Sequence, residues 1–266
     1  MSARLVNRFA KERTAGRHLF VPFITAGDRG LNFTKKAIIA LADVGADAIE
    51  LGVPFSDPLA DGPVIQQSSQ RALDKGTTLE KIIDLVAEVR LKTDVPIVLM
   101  GYCNPFLQPS LKKNMMKAVK AGVDGLVIPD LPPQEAEELV TTGCQIGLDI
   151  IFLAAPTSTD ERLAAIGQLS TGYVYYVSVA GTTGVRSKLP TNIKQGVNRV
   201  RRYTPMPVLV GFGIAKPEQA KAMTGFADGV IVGSALVKAM ENGKNDQEAL
   251  KNLTKLAKSI AKAVKY

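Results

Sequence analysis

Tryptophan is absent from this chain of 266 residues, histidine occurs once and cysteine twice. The single histidine, His18, removes whole classes of chemistry. A zinc-binding helix carries two histidines one turn apart, and a serine–histidine triad needs a histidine beside its nucleophile. His18 stands among Gly16, Arg17 and Leu19, ahead of the first apolar run, where it reads as a surface or capping residue. Cys103 and Cys144 form no CxxC pair. That spacing predicts no disulfide framework and a reducing compartment: the cytoplasm, or the stroma for a plastid-encoded chain. No apolar run approaches the ~18 residues of a membrane span. The first twenty residues carry too much charge for the apolar core of a signal peptide. No Pro/Gly/Ser-rich linker or low-complexity tract divides the chain, so residues 1–266 are expected to form a single domain.

Net charge is +8. Lys251, Lys255, Lys258, Lys262 and Lys265 recur at helical spacing opposite Leu253, Leu256, Ile260 and Val264, which predicts a solvated face on a core-packed helix. Aromatic–basic interleaving and zinc spacing are both missing, so no nucleic-acid partner is expected.

What the chain does have is short apolar runs alternating with longer amphipathic segments. Eight runs read as strands: 19–25, 46–53, 96–102, 125–129, 149–154, 173–179, 207–212 and 229–232. They are mostly unalternating, as in parallel strands buried on both faces. Helical patterns fill the gaps at 31–44, 78–92, 110–121, 134–142, 159–168, 193–203, 217–224, and 235–242 with 247–265. Thr77-Thr78-Leu79-Glu80 resembles a capping box. Pro133 and Pro217 suit a helix's first turn, and Gly122 suits a stop. Extra helices are expected at 2–14 and, after the strand-two loop, at 64–74. Eight βα units without a GxGxxG turn after the first strand point to an α/β fold of the (β/α)8 TIM-barrel type rather than a doubly wound sheet.

In a barrel every βα-loop opens on one face. Glu50, Asp61, Tyr102, Asp130 and two glycine loops then converge although they are far apart in sequence. Glu50 sits inside the apolar run 47–53, where a carboxylate costs free energy unless it is paired or protonated. Asp61 follows on a turn-rich loop. Each has a bland alternative: a buried structural acid for Glu50, and turn chemistry for Asp57 and Asp61. Together on one face they suit acid/base work. Gly211-Phe212-Gly213 ends strand seven, and Gly233-Ser234-Ala235 ends strand eight and opens a helix. Backbone N–H groups there suit a phosphate, unless the glycines serve only tight packing. The polar, glycine-flanked loop 178–190 reads as a lid, and Gly184 could add N–H groups to the phosphate.

At these residues the chain resembles the alpha subunit of tryptophan synthase. The matching pieces are Pro22-Phe23-Ile-Thr-Ala-Gly27-Asp28 and Glu50-Leu-Gly-Val-Pro-Phe-Ser-Asp-Pro-Leu-Ala-Asp61-Gly-Pro. They continue through Met100-Gly-Tyr102-Cys-Asn104-Pro, Pro129-Asp130-Leu-Pro, Ala155-Pro156-Thr157, Gly181-Thr-Thr183-Gly184, Gly211-Phe212-Gly213-Ile and Gly233-Ser234-Ala. The resemblance implies a TIM barrel acting as a carbon–carbon lyase. It would split indole-3-glycerol phosphate by retro-aldol cleavage into indole and glyceraldehyde 3-phosphate.

It further implies that Glu50 protonates the indole C3 carbon and helps deprotonate the glycerol hydroxyl, while Asp61 stabilises charge on the indole ring. Phe23, Met100 and Leu153 would line the indole pocket, with Tyr102 and Tyr175 also at the substrate. Thr183 would position Asp61, and Gly184, Gly211, Phe212, Gly213, Gly233 and Ser234 would surround the phosphate. No metal or cofactor is implied for this chain. Its partner would be a pyridoxal-phosphate beta subunit in an αββα heterotetramer, met by the loop from Pro54 to Asp61 and the segment from Asn104 to Pro109. The rival readings are a stand-alone indole-glycerol phosphate lyase, another phosphosugar barrel, and an inactive regulatory subunit.

Overall fold

Seven buried residues in a row, Leu19–Thr25, form β1 of the computed structural model, which describes residues 1–177, 192–211 and 213–266. Around it the chain builds α2 (Leu31–Asp43), β2 (Ile49–Gly52), α3 (Pro63–Asp74), α4 (Leu79–Val89), β3 (Ile97–Met100), α5 (Cys103–Leu107), α6 (Leu111–Ala121) and β4 (Gly125–Val127). The second half continues with α7 (Glu137–Ile146), β5 (Asp149–Ile151), β6 (Leu153–Ala154), α8 (Asp160–Leu169), β7 (Val174–Val177), α9 (Ile193–Val200), β8 (Val208–Gly211), α10 (Pro217–Thr224), β9 (Gly229–Val232), α11 (Ser234–Glu241) and α12 (Asp246–Lys265). A further helix, α1 (Ala3–Thr14), precedes β1.

All described strand pairs are parallel, in the order β5-β4-β3-β2-β1-β9-β8-β7-β6. The two ends of that order are halves of one apolar run. β5 pairs with β4 and β6 pairs with β7, so the run changes partner at Phe152 and closes a TIM barrel. The expected fifth strand is therefore split. Both expected extra helices are present as α1 and α3. The short α5 and a 3₁₀ turn at Pro133–Glu135 were not expected. The turn occupies the start of the helix anticipated at 134–142, and α7 begins only at Glu137.

Alternation along the strands divides the core in two. Phe20, Ile24, Ile49, Leu51, Ile97 and Leu99 face the helices, while Leu19, Val21, Ala48, Val98, Tyr173 and Tyr175 face the barrel axis. Helix α1 closes the N-terminal end: Leu5 and Phe9 join the inner cluster, and the Phe9 ring lies 5.9 Å from that of Tyr173. On α12, Lys251, Lys255, Lys258 and Lys262 are exposed as expected. Lys265 departs from that face and pairs with Asp47 at 2.8 Å.

A repeated clip fastens alternate strand pairs at the same end. Asp47 donates its N–H to Phe20 O (2.9 Å) and accepts the Phe20 N–H on Oδ2 (2.9 Å). Asp124 does the same with Ile97 (2.8 and 2.8 Å), and Asp228 with Val208 (3.0 and 2.8 Å). Thr171 supplies the fourth clip to Ile150, through its N–H (2.8 Å) and Oγ1 (2.9 Å). Each side chain accepts a strand-end N–H that would otherwise be buried without a partner. The residues expected to bear chemistry lie at the opposite end.

Candidate active site

Glu50 is placed by register. It pairs with Phe23 on β1 and Val98 on β3, and its neighbours Ile49 and Leu51 face the helices, so its side chain enters the barrel. It is fully buried. Tyr173 Oη donates to Glu50 Oε1 at 2.6 Å, and Oε2 is buried without a hydrogen-bond partner among the described residues. Burial pushes the carboxyl up from the ordinary 4.5 to about 8, against the hydrogen bond from Tyr173, which pulls it down. The bland alternative needs a base to hold a buried acid, and no lysine or arginine pairs with Glu50 among the described residues.

Asp61 reaches the same end from the loop after β2. Burial raises its carboxyl from 3.8 to about 6, opposed by the hydrogen bond that Tyr102 Oη donates to Oδ2 at 3.3 Å. Tyr102 also accepts the Ala60 N–H at 2.8 Å, and its ring stacks on Phe55 with centroids 5.2 Å apart. One tyrosine at the end of β3 thus grips both ends of the loop that carries Asp61. From the other side, Gln66 in α3 donates to Asp61 O at 2.9 Å.

Phe23, Met100, Tyr102 and Asp61 line one cavity, together with Thr25, Gly52, Val53 and Ser69. Tyr175 is buried where the charges of both Glu50 and Asp61 reach it; desolvation first, and those charges second, hold its phenol protonated. Leu153 pairs with Tyr175 across β6 and β7.

Three glycines fix the shape of this space. A Cβ at Gly52 would stand 2.5 Å from Phe23 Cζ, one at Gly233 would stand 3.3 Å from Phe23 Cδ1, and one at Gly211 would stand 2.3 Å from Tyr175 Oη. Close packing is therefore a sufficient reason for Gly211. Gly213 differs: its φ of +82° is left-handed. Ser234 opens α11 with Gly233 before it, and no side chain caps this helix N-terminus among the described residues; the helix dipole there suits an anion. Thr183, Gly184 and Phe212 lie outside the described residues, as does the whole of the expected lid 178–190.

One expected residue has other work. Asp130 accepts the Cys103 N–H on both oxygens (3.0 and 3.2 Å) and so caps α5. His18 bonds Ala227 O at 3.1 Å, away from the site. Tyr173, the partner of Glu50, went unnoticed in the sequence. Its signal is the alternation Tyr173, Tyr175 at inward positions of one strand. Among the described residues no group of three or more His, Cys, Asp or Glu is arranged to hold a metal. No described helix is long and apolar enough to cross a membrane.

Comparison with known proteins accords with this geometry. The family model for the tryptophan synthase alpha chain matches residues 9–265. The tryptophan synthase alpha chain of Geotalea uraniireducens is 47% identical over 264 residues, 98% of this chain and 99% of that one. That of Geotalea daltonii is 50% identical over 238 residues, 90% of each. Among solved structures, tryptophan synthase subunit alpha from Legionella pneumophila superposes with a TM-score of 0.92 at 35% identity, covering 99% of this chain and 98% of that one. Mycobacterium tuberculosis tryptophan synthase gives 0.91 at 36%, covering both chains fully.

Proposed function

The chain belongs to the tryptophan synthase alpha chain family, and on that premise we propose that it cleaves indole-3-glycerol phosphate to indole and glyceraldehyde 3-phosphate. The observation that carries this reading is Glu50: a carboxyl held at about 8 inside the barrel, with one oxygen fixed by Tyr173 and the other unpartnered among the described residues. Such a group carries a proton at neutral pH and has an oxygen with which to deliver it.

The step balances without an outside reactant. Protonated Glu50 gives its proton to indole C3, and the ring nitrogen takes up positive charge. Ionised Asp61 stabilises that charge by accepting from the N1–H. Glu50, now a carboxylate, removes the proton from the glycerol hydroxyl next to the ring. The carbon–carbon bond breaks as the aldehyde forms, the electron pair returns to the indole, and Glu50 ends protonated as it began. Phe23, Met100, Tyr102, Leu153 and Tyr175 surround the indole in this reading. Backbone N–H groups at Gly211, Phe212, Gly213, Gly233 and Ser234, with Gly184 and Thr183 closing over the top, hold the phosphate end.

The partner is a beta subunit, to which indole passes, in an αββα assembly; pyridoxal phosphate belongs to that subunit. The proposed contact segments carry apolar surface that a lone chain gains nothing by exposing: Leu59 is 87% exposed and Leu107 is 42% exposed. The cytoplasm is the proposed compartment.

The test is release of glyceraldehyde 3-phosphate from indole-3-glycerol phosphate, with and without a bacterial tryptophan synthase beta chain. Slow release that the beta chain accelerates is expected. Glu50→Gln should lower turnover by about 10²–10⁴ with the fold intact. Undiminished turnover in that variant removes Glu50 from the reaction, and no turnover by the wild type in either condition overturns the reading.

A further inference from the structure

The helix that follows Asp61 is braced at its far end. α3 begins two residues after Asp61 and packs against both β1 and α11. Arg71, in its last turn, donates from Nε and Nη2 to the two oxygens of Asp28 at 2.6 and 3.1 Å. Asp28 is buried in the turn after β1, the strand that carries Phe23 and Thr25. The remaining arm, Nη1, donates to Glu241 Oε1 at 3.2 Å. Glu241 is the last residue of α11, whose first is Ser234. Lys238 holds the other oxygen of Glu241 at 2.6 Å. Beside Asp28, Arg29 reaches the same end of α11 through Met240 O (3.4 Å) and Gly243 O (3.3 Å).

One planar guanidinium therefore joins the β1 turn, α3 and α11. These are the elements that carry the indole pocket wall, Asp61 and the candidate phosphate N-terminus. The proposed substrate has an indole at one end and a phosphate at the other, so the relative placement of α3 and α11 sets whether Asp61 meets the indole N1–H once the phosphate is seated. A misplacement near 1 Å is enough to lower a rate markedly. We propose that Arg71 is a positioning residue of the cleavage reaction, holding α3, and Asp61 with it, in register with α11. This rests on the function proposed above. Lysine cannot substitute for it, because a point charge cannot engage Asp28 bidentately while reaching Glu241.

The experiment compares wild type, Glu50→Gln, Arg71→Lys and Glu241→Gln, each with a bacterial tryptophan synthase beta chain, for kcat, KM, the pH profile of kcat/KM and thermal midpoint. Arg71→Lys should lower kcat by about 10-fold and displace the acid limb governed by Asp61. Glu241→Gln, which takes the charge from the arm to α11 and from the Lys238 pair and leaves Asp28 paired, should lower kcat by about threefold with little change in thermal midpoint. If Arg71→Lys fails to fold, Glu241→Gln decides by the same readouts. Wild-type kcat and acid limb in the variants, whatever their thermal midpoints, overturn the positioning role alone, provided Glu50→Gln has lost turnover. No cleavage by the wild type overturns this proposal together with the function it rests on.

Discussion

Glu50 and Asp61 carry the same functional group, yet the first titrates near 8 and the second near 6. The difference lies in their surroundings: Glu50 is sealed among apolar side chains with a single phenol as donor, and Asp61 stands at the rim of the cavity. In the proposed reaction Glu50 works protonated and Asp61 ionised. The pH profile of kcat/KM should therefore be bell-shaped, rising through about 6 as Asp61 ionises and falling through about 8 as Glu50 loses its proton. Tyr102→Phe removes the hydroxyl that donates to Asp61 and accepts from Ala60. Since that hydrogen bond lowers the Asp61 value, the acid limb should move to higher pH, and kcat/KM should fall about 10-fold; an unmoved limb would remove Tyr102 from this role. Stability carries the same signature with its own sign. Folding raises the Glu50 value from 4.5 to about 8, so across that window the folded chain holds a proton that the unfolded chain has lost. Its contribution is complete below about 4.5 and disappears as pH climbs to about 8. Glu50→Gln should accordingly gain thermal stability over wild type more at pH 8 than at pH 5, as melts at the two values would register.

At the scale of elements, the barrel is fastened at one end and carries the candidate site at the other. The clips made by Asp47, Asp124, Thr171 and Asp228 join every second strand pair at the N-terminal end. Asp124 bears most: besides the Ile97 N–H it receives Arg90 (2.7 Å), Arg4 (2.9 Å) and Ser2 Oγ (2.5 Å), with its side chain wholly buried. Asp124→Ala strands a buried guanidinium and a strand N–H together. It should cost about 3–5 kcal/mol in urea unfolding, while Asp228→Ala, at a side chain one-quarter exposed, should cost less than half of that. The clips leave a written trace, Gly45-Ala46-Asp47, Gly122-Val123-Asp124 and Phe226-Ala227-Asp228 before three strands. Periodicity reads the apolar run after each aspartate and passes over the aspartate itself. The split of the fifth strand left no trace, because its two halves form one uninterrupted apolar run and only the partners on either side differ.

The whole molecule is a barrel with a plugged end and an open one. α1 fills the first with Leu5 and Phe9. At the second, Leu59 on the loop after β2 and Leu107 at the end of α5 stand exposed in the two segments proposed to meet the beta subunit. If that face is the interface, Leu107→Asp buries a charge there and should weaken beta-chain binding by 10-fold or more, as titration calorimetry would measure. The turnover of the isolated chain should stay near its own slow value. Binding at wild-type affinity would move the interface elsewhere.

Eight βα units, two extra helices and the position of Glu50 in an apolar run were legible in the sequence, because burial on both faces of a parallel strand leaves continuous apolar runs that need no knowledge of neighbours. Glu50 and Asp61 could be named as a pair there for the same local reason: a carboxylate in such a run, and another on the turn just after it, stand out from their surroundings. That burial raises the Glu50 value could be read from the apolar run itself; the partner that opposes the shift, and the value at Asp61, could not. Whether a buried carboxyl meets a lysine or a tyrosine depends on residue 173, more than a hundred positions away, and on the register that brings it inward. The same holds for the Tyr175 ring, which packs where a Cβ at Gly211 would stand, and for the Cys103 N–H that Asp130 accepts at the start of α5. Local composition determined which residues stand out as candidates for chemistry; the closure of the barrel decided which of them face one another, and so at what pH each holds its proton.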